Sequence, residues 1–423
     1  MVSLIKYNNM KRRNFLQTTG LAALGMTYSN DLIANSTSKC DAIINIYLPG
    51  GMAAQESWDP KPHISAEFKG PHNAIKTNVS GIIIGSMFPK MAKVMDKATI
   101  IRSFTHGEAA HERGTASMFT GYSPSPALKY PSMGSVVSHE SNPDVMPSYI
   151  SIPNVPNESA GTGYMASMYG PFALGSDPAV KGFKVRDLSL PKDITPDRWD
   201  SRKNLLEIVN QNFSDHHSQD IDSIAKFYKQ GFDLIGSKKA QEAFSLNNEP
   251  TKLRDNYGRN TAGQRFLLAR RLVENGAKYV TVTYGSWDMH DNIKQKFEQQ
   301  APALDQAIAM LLQDLDDRGM LDRTMVVVTS EFGRTPQINK TNGRDHWPRV
   351  FSGIVAGGGI NRGSVYGESS QNSDAVEKDP VSPGDLSATI FNQLGYSHDK
   401  ELMAPGGRPI SLTRGKILEG LTS

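Results

Sequence analysis

The sequence predicts an α/β fold with a mostly parallel central sheet and helices on both of its faces. Several short segments are apolar along their whole length and rich in β-branched residues, which is typical of strands buried on both sides in a parallel sheet. Helical patterns that end at glycines separate some of these segments, so the chain has the strand–helix–strand rhythm of such a sheet. The composition, 38% hydrophobic and 21% charged over 423 residues, is that of a globular chain.

Four segments are predicted to be strands of this sheet. They run from Asp41 to Leu48, Ala98 to Arg102, Lys278 to Tyr284 and Thr324 to Thr329. The first is followed by Pro49-Gly50-Gly51, and glycines at a strand end let backbone amides approach a ligand closely. Because the carboxyl ends of parallel strands meet at one edge of a sheet, we expect ligands to bind in the loops that follow these strands.

Two helices are predicted around the later strands, from Thr261 to Asn275 and from Pro302 to Arg318. In both segments apolar residues recur at helical spacing. Gly276 and Gly319 follow them, and glycine is a common residue just past a helix end.

The middle of the chain has a different composition. Residues 122–200 contain eleven prolines, which leave little room for long helices, and residues 201–250 are polar with a helical tendency. We therefore predict one domain over residues 41–423, with an irregular proline-rich insertion at about 122–260.

The N-terminus is predicted to be an export signal. Arg12-Arg13, followed by Phe15-Leu16 and a weakly apolar stretch rich in Gly and Ala, resembles a twin-arginine signal. That stretch is far shorter than the roughly 20 apolar residues of a membrane-spanning helix. We expect residues 1–34 to be removed, and the mature protein to be periplasmic or secreted, without a membrane span. The alternative is an ordinary basic N-terminal helix.

Charge and cysteine content exclude two classes of protein. The formal net charge of +3 disappears when the first 34 residues are set aside. A neutral chain without a run of Lys and Arg lacks the footprint of a nucleic-acid-binding protein. Cys40 is the only cysteine, so neither an internal disulfide nor a site of several thiolates can form.

The first group of candidate site residues follows the strand that ends at Tyr284. Asp288 and His290 are two positions apart, so in an extended segment their side chains face the same way. Carboxylate and imidazole groups together suit a divalent metal. The alternative is a hydrogen-bonded pair within a loop.

The second group follows the strand that ends at Thr329. Glu331 is placed to bind a metal or accept a proton, and Asp345 and His346 add a carboxylate and an imidazole. Arg334 and Arg344 are candidates to clamp an oxyanion. The alternative for Arg334 is an ion pair with Glu331 across a turn, which needs no ligand.

The third group follows the strand from Ala98 to Arg102. His106 and His111 precede a predicted short helix, whose N-terminus favours a bound anion. Their spacing of five does not place both on one helix face, so the loop must fold to bring them inward, unless one of them only caps the structure. Glu56, in the loop after Gly51, completes this edge of the sheet.

With these residues assembled, the sequence resembles the exported family known as domain of unknown function 1501, which is placed in the alkaline phosphatase and sulfatase superfamily. The motifs that carry the resemblance extend from the twin arginines to near the end of the chain. In order they are Gly50-Gly51, Trp58-Asp59-Pro60-Lys61-Pro62, Arg102-Ser103 to His106, Ala110-His111-Glu112-Arg113, Thr120-Gly121, Pro131-Ser132-Met133-Gly134-Ser135, Trp287-Asp288-x-His290, Thr329 to Pro336, Gly343-Arg344-Asp345-His346-Trp347-Pro348, Gly357-Gly358-Gly359, Gly363-x-Val365-Tyr366-Gly367 and Asp385-Leu386-x-Ala388-Thr389-Ile390.

The resemblance implies an alkaline-phosphatase-like fold with one or two divalent metals at the sheet edge. It places His111 near the position of the superfamily's nucleophile, where relatives carry Ser, Thr or Cys. Glu331-Phe332-Gly333 stands where relatives have Asp-His-Gly, and the first loop reads Ala53-Ala54 and Glu56 where many members have Ser-His and then Asp. This reduced ligand set implies one metal, or none.

Two functions follow from these expectations. The first is an exported hydrolase of phosphate or sulfate esters, whose divalent metal, zinc, calcium or similar, activates water, or in which a histidine is the nucleophile. In this hydrolase Arg334 and Arg344 hold the anion. The metal ligands come from Asp288, His290, Asp345 and His346, together with Glu331 or His111. The second is a non-catalytic envelope protein for binding or assembly. The expected partner is a small anionic ester or an envelope glycan.

The remaining histidines are expected to be surface or structural residues, namely His63, His72, His139, His216, His217 and His398.

Overall fold

The structure, a computed structural model, describes most of the chain. The described residues are 38–142, 145–185, 188, 194–213, 228–229, 231–397 and 399–422. The predicted signal peptide at 1–34 lies outside these residues, as do His216, His217 and His398.

The strands and helices are numbered separately in chain order. The strands are β1 (Ala42–Tyr47), β2 (Ala74–Lys76), β3 (Ile83–Gly85), β4 (Ala98–Phe104), β5 (Tyr149–Ile152), β6 (Phe172–Ala173), β7 (Tyr279–Thr283), β8 (Thr324–Thr329), β9 (Gly333–Arg334), β10 (His346–Trp347), β11 (Phe351–Ala356), β12 (Ser364–Tyr366), β13 (Glu368–Ser369), β14 (Val376–Lys378), β15 (Glu401–Ala404) and β16 (Arg408–Ser411). The α-helices are α1 (Ala66–Lys69), α2 (His111–Thr120), α3 (Met133–Glu140), α4 (Pro196–Phe213), α5 (Lys238–Ala243), α6 (Thr251–Tyr257), α7 (Thr261–Glu274), α8 (Ile293–Asp317) and α9 (Pro383–Gln393). Single turns of 3₁₀ helix lie at Met91–Lys93, Met95–Lys97, Glu158–Ala160, Ser167–Tyr169, Leu246–Asn248, Leu321–Arg323 and Glu419–Leu421.

Eight strands form the central sheet in the order β12-β4-β11-β8-β1-β7-β5-β6. Every neighbouring pair is parallel except those of β11, which runs antiparallel to both β4 and β8. The predicted α/β class with a mostly parallel sheet is therefore confirmed. Among the described residues, no helix combines the length and the apolarity needed to cross a membrane.

Side chains of successive strand residues enter cores on opposite faces of the sheet. In β1, Ile44 and Ile46 belong to the larger core, which includes Phe266 of α7 and Leu312 of α8. Ile43 belongs to the smaller core on the other face, with residues of α3 and α9. Because both faces are covered, most residues of the central strands are apolar, although the buried Asn45 and Thr281 are polar.

The two predicted helices are present as α7 and α8. Helix α7 begins after Asn260, whose side chain accepts a hydrogen bond from the backbone N–H of Gly263. Helix α8 begins nine residues before the predicted start, so that Pro302 lies inside it. Phe297 and Ala301, in the added turns, are fully buried. Their burial outweighs the local cost of an interior proline, which sequence pattern alone does not reveal.

The stretch predicted as an insertion at 122–260 contributes to the central sheet. Strand β5 pairs in parallel with β7, with Tyr149 opposite Tyr279, and β6 extends the same edge. The sequence did not predict β5, because a four-residue strand between Pro147 and Pro153 is too short to show a sequence pattern.

The carboxyl ends of the central strands lie level with one another. Tyr47, at the end of β1, is paired with Thr283 of β7 and with Thr329 of β8. The loops that leave these three strands therefore start at the same edge of the sheet, and the predicted site residues after β7 and β8 start on either side of β1.

Replacing Lys400 by methionine is expected to lower stability by about 1 kcal/mol at about pH 7. Glu140, at the end of α3, accepts hydrogen bonds from Lys400 and from His139. Burial raises the pKa of this carboxyl group, but the bonds from His139 and Lys400 outweigh burial, and the net pKa is lowered. Stabilisation is thus present above the pKa of the unfolded carboxyl, about 4.3, and is lost as the pH falls through the lowered pKa of the folded state. Urea unfolding of both proteins across this range measures the difference, which should be largest at neutral pH. A difference that persists unchanged in acid would contradict this account.

Candidate metal centre

Four loops bring the candidate residues together at the carboxyl edge of the sheet. Asp288 and His290 follow β7, and Glu331 follows β8. His346 lies in β10, which pairs with β9 so that His346 is opposite Arg334. His111 is the first residue of α2.

His111 is oriented by the carboxylate of Glu331. Its Nδ1 lies 2.6 Å from Glu331 Oε1. The same carboxylate accepts hydrogen bonds from the backbone N–H of Gly50 at 2.7 Å and from the Tyr47 hydroxyl at 3.0 Å. The hydrogen bond to Glu331 raises the pKa of His111. Glu331 is buried and engaged by these three groups, so it is placed to orient the His111 ring, and its predicted role as a metal ligand or proton acceptor stays a prediction.

His346 is oriented by a backbone carbonyl. Its Nδ1 lies 2.8 Å from the carbonyl oxygen of Ala109, which can only accept a hydrogen bond. The ring proton of neutral His346 is therefore on Nδ1, and the lone pair is on Nε2. This assignment follows from the chemistry of the partner.

His290 is oriented by Asp345. The His290 Nδ1 lies 2.7 Å from Asp345 Oδ1, and this contact lowers the pKa of Asp345. The His290 Nε2 lies 3.0 Å from the Nε2 of His346. Asp345 thus contacts the side of the imidazole that faces away from His346, and its role as a metal ligand stays a prediction.

Asp288 lies at the centre of the three imidazoles. Its Oδ1 is 2.9 Å from His290 Nε2 and 3.2 Å from His346 Nε2, and its Oδ2 is 3.4 Å from His111 Nε2. Partial burial raises the pKa of Asp288, but the hydrogen bond and charge of Arg334 outweigh burial and lower it. The group is therefore a carboxylate at neutral pH.

The convergence of these groups is typical of a cation site. When all three imidazoles are neutral and each Nδ1 donates to its own acceptor, three Nε2 lone pairs and an ionised carboxylate point at one another, and none of these atoms carries a hydrogen. A proton or a metal ion between them would offset this arrangement of acceptors. One ligand atom from each of His111, Asp288 and His346 lies within 4.8 Å of the other two. This set of nitrogen and oxygen donors fits a divalent ion such as zinc, and we call these three residues the ligand triad.

Arg334 is engaged within the protein, and its predicted contact with an anion stays a prediction. The guanidinium group is buried, and it donates to the carbonyl oxygens of Gly51 and Arg344, both at 2.9 Å, as well as to Gly50 O and Asp288 Oδ1. Its acidic partner is thus Asp288 and not Glu331, the partner considered from the sequence. Arg334 holds the carboxylate of the ligand triad in place.

Arg344 is also buried, and the structure corrects its predicted role. It forms an ion pair with Glu56 at 3.0 Å, and both side chains have 0% exposure. It also donates to the carbonyl oxygens of Thr335, Pro336 and Phe68. Arg344 and Glu56 therefore fix the loops beneath the site, and neither is available to a ligand.

Hydrogen bonds within the protein also engage the polar groups of Gly50, Gly51 and His106. The amides of Gly50 and Gly51 donate to Glu331 and to Ser330 Oγ, so they are not free for an anion. Gly50 has φ 105°, and a Cβ there would clash with the backbone nitrogen of Asp288. His106 accepts from the N–H of Glu108 at 3.0 Å, and its Nε2 donates to the carbonyl oxygen of Glu331 at 2.6 Å.

Beside the ligand triad lies an open cleft of about 420 Å³. Carboxylates and polar groups surround it, and none of the described residues that line it is Lys or Arg; they are Tyr47, Pro49, Gly50, His111, Glu112, Thr115, Pro156, Asn157, Thr283, Ser286, Asp288 and Glu331. Sequence reasoning missed Tyr47, although a tyrosine at the end of a buried strand at this edge was a usable signal. An anionic ligand in this cleft needs a bound cation to offset the carboxylates.

Comparisons with known proteins give one family match. The family model described as "Protein of unknown function (DUF1501)" matches residues 40–421. A search of curated proteins finds no match.

Three solved structures illustrate what the chain is similar to. A lipoteichoic acid synthase from Listeria monocytogenes shares 13% identity at TM-score 0.39, covering 89% of this chain and 75% of that one. A phosphonate monoester hydrolase from Silicibacter pomeroyi shares 9% identity at TM-score 0.38, covering 90% and 76%. A protein in the alkaline phosphatase superfamily from Vibrio parahaemolyticus shares 9% identity at TM-score 0.38, covering 85% and 67%.

Proposed function

The chain belongs to the DUF1501 family, as its motifs predicted, and from this premise we propose that it is a divalent-metal-dependent hydrolase of phosphate or sulfate esters. The observation that carries the proposal is the ligand triad, in which His111, Asp288 and His346 present converging acceptor atoms within 4.8 Å. The proposal includes export through the twin-arginine pathway to the periplasm or the medium, after removal of residues 1–34, as one domain over 41–423.

The ligand triad would hold the ion, with His290 beside it. When bound there, a divalent ion offsets the charge of an anionic ester and makes a bound water more acidic. Glu331 and Ala109 keep the Nε2 lone pairs of His111 and His346 directed inward. Arg334 keeps Asp288 ionised and oriented.

The attacking group is water if His111 binds the ion, or His111 itself if it does not, and it is not Thr115. The Thr115 hydroxyl donates to the carbonyl oxygen of His111 at 2.7 Å and contacts the Tyr47 hydroxyl at 2.7 Å. That hydroxyl is buried and engaged on both sides. His111 is more open, with 35% of its side chain exposed beside the cleft.

The second candidate function is non-catalytic binding or assembly in the cell envelope. The burial of Arg334 and Arg344 favours it, because the two arginines predicted to hold an anion are both occupied within the protein. This function requires neither a stoichiometric metal nor turnover.

Metal analysis combined with an ester panel distinguishes the two functions. Protein purified after native export is analysed for bound metals and assayed with p-nitrophenyl phosphate, phosphonate and sulfate esters, before and after chelation. At least one equivalent of a divalent metal, with turnover that chelation abolishes and metal restores, is expected. Full activity in a metal-depleted preparation would overturn metal dependence, and the absence of both metal and turnover would favour the envelope-binding function.

Replacing Glu331 by glutamine is expected to weaken metal binding or turnover about 10- to 100-fold, the usual cost of losing a group that orients a metal ligand. The amide keeps the shape of the carboxylate but removes the charge that favours the Nδ1–H form of His111. Metal titration and kcat/KM measure the effect. Glu377→Gln, on exposed strand β14, is the control and should match the wild type. A Glu331→Gln protein indistinguishable from this control would contradict the positioning role.

A further inference from the structure

A second cavity, of about 520 Å³, adjoins the cleft at the ligand triad. Glu112 and Asn157 line both spaces. Glu112 directly follows His111 in α2, and its side chain is exposed. The two cavities therefore adjoin each other at this carboxylate, and the size of the second is within the range of small-molecule sites.

The ionisable groups of this second cavity balance one another. Glu112 and Glu158 stand against Arg113 and Lys129. Lys129 pairs with Glu158 at 2.8 Å, and Arg113 pairs with Glu108 outside the cavity at 2.8 Å. With both cations engaged and Glu112 at the entrance, the cavity disfavours a second anionic group.

The remaining lining combines apolar surface with hydroxyl and amide groups. Tyr130 and Leu128 provide the apolar part, and the Tyr130 ring is fixed by stacking on Tyr122, with centroids 4.1 Å apart. Ser125 and Thr162 provide hydroxyl groups that donate and accept hydrogen bonds. This combination suits a ring that has an apolar face and several hydroxyl groups.

We propose that this cavity is the subsite for the organic group of the ester, and that the group is a neutral, polyhydroxylated ring. This inference rests on the proposed function, because the ester bond must lie at the ligand triad for its organic group to extend past Glu112. Glu112 acts as a specificity-determining residue, which accepts a hydrogen bond from a hydroxyl and disfavours a carboxylate at the same position.

Direct binding of neutral disaccharides tests the subsite without any turnover. Cellobiose, lactose and chitobiose are titrated into the full protein and followed by ligand-observed NMR. Ser125→Trp should fill the cavity and weaken binding at least about tenfold, since it removes the space for the ring. Ser123→Trp, on the same loop but exposed and outside both cavities, is the matched control and should bind as the wild type does.

The charge preference is tested with the uronate-containing hyaluronan disaccharide. Wild-type protein should bind this disaccharide with a higher Kd than lactose. In Glu112→Gln the ratio of these two Kd values should fall about fivefold, because the repulsion between the two carboxylates is removed. Absence of binding by all three neutral disaccharides, or equal loss in both tryptophan variants, would overturn the subsite. Binding with these preferences but no ester turnover would overturn the proposed function alone.

Discussion

Replacing His346 by alanine is expected to abolish stoichiometric metal binding and to lower ester turnover by more than about a hundredfold. Loss of a group that merely orients a ligand costs about 10- to 100-fold, so loss of a ligand atom itself should cost more. The deletion also leaves Asp288 and His111 as an incomplete ligand set. Elemental analysis and kcat/KM on the most active ester measure the two effects.

A matched histidine variant separates this effect from general damage. His63 is exposed and lies outside the cluster, so His63→Ala should keep both metal and activity. Circular dichroism of His346→Ala should show an intact fold, because the His346 ring is only half-buried. A folded His346→Ala protein that retains one equivalent of metal and full turnover would refute the assignment of the ligand triad.

Replacing Arg344 by alanine is expected to destabilise the protein by about 3–5 kcal/mol. The change leaves the Glu56 carboxylate fully buried without its cation, and it frees the three carbonyl oxygens to which Arg344 donates. Urea unfolding measures the loss as a lower midpoint. The loops beneath the ligand triad should loosen as well, so metal affinity should fall in parallel.

Two further variants sharpen this test. Arg349→Ala removes an exposed arginine that packs over Trp347, and it should change stability by no more than about 0.5 kcal/mol. The double variant Arg344→Met with Glu56→Leu removes both buried charges and should recover much of the loss. If Arg344→Ala were as stable as Arg349→Ala, the buried pair would not be a structural support of the site.

Much of the fold was predictable because strands that are buried on both faces have recognisably apolar sequences. Strands β1 and β8 are largely apolar, with Asn45 as the polar residue inside β1, so pattern alone identified them. Strand β5 escaped prediction because four residues between prolines carry too little pattern. The early start of α8 escaped because the burial of Phe297, a tertiary effect, compensates for Pro302.

The sequence predicted which residues lie at the candidate site better than it predicted what each residue contacts. Asp288 and His346 could be named because polar groups after adjacent parallel strands share an edge. Whether a carboxylate faces an ion or the back of an imidazole depends on side-chain orientation, so the contacts of Glu331 with His111 and of Asp345 with His290 were not predictable from the sequence. Arg344 was predicted to hold an anion because its partner Glu56, 288 positions away, cannot be recognised from the sequence.

The hydrogen bond between Tyr47 and Glu331 joins residues 284 positions apart. This contact can form only after the chain has been synthesised past Glu331 and β1 and β8 have paired. Closing so long a loop is slow. We therefore expect a nascent or partly folded chain to hold no preformed ion site, so that loading follows the completion of folding. The metals available in the compartment where folding is completed would then determine which ion is bound.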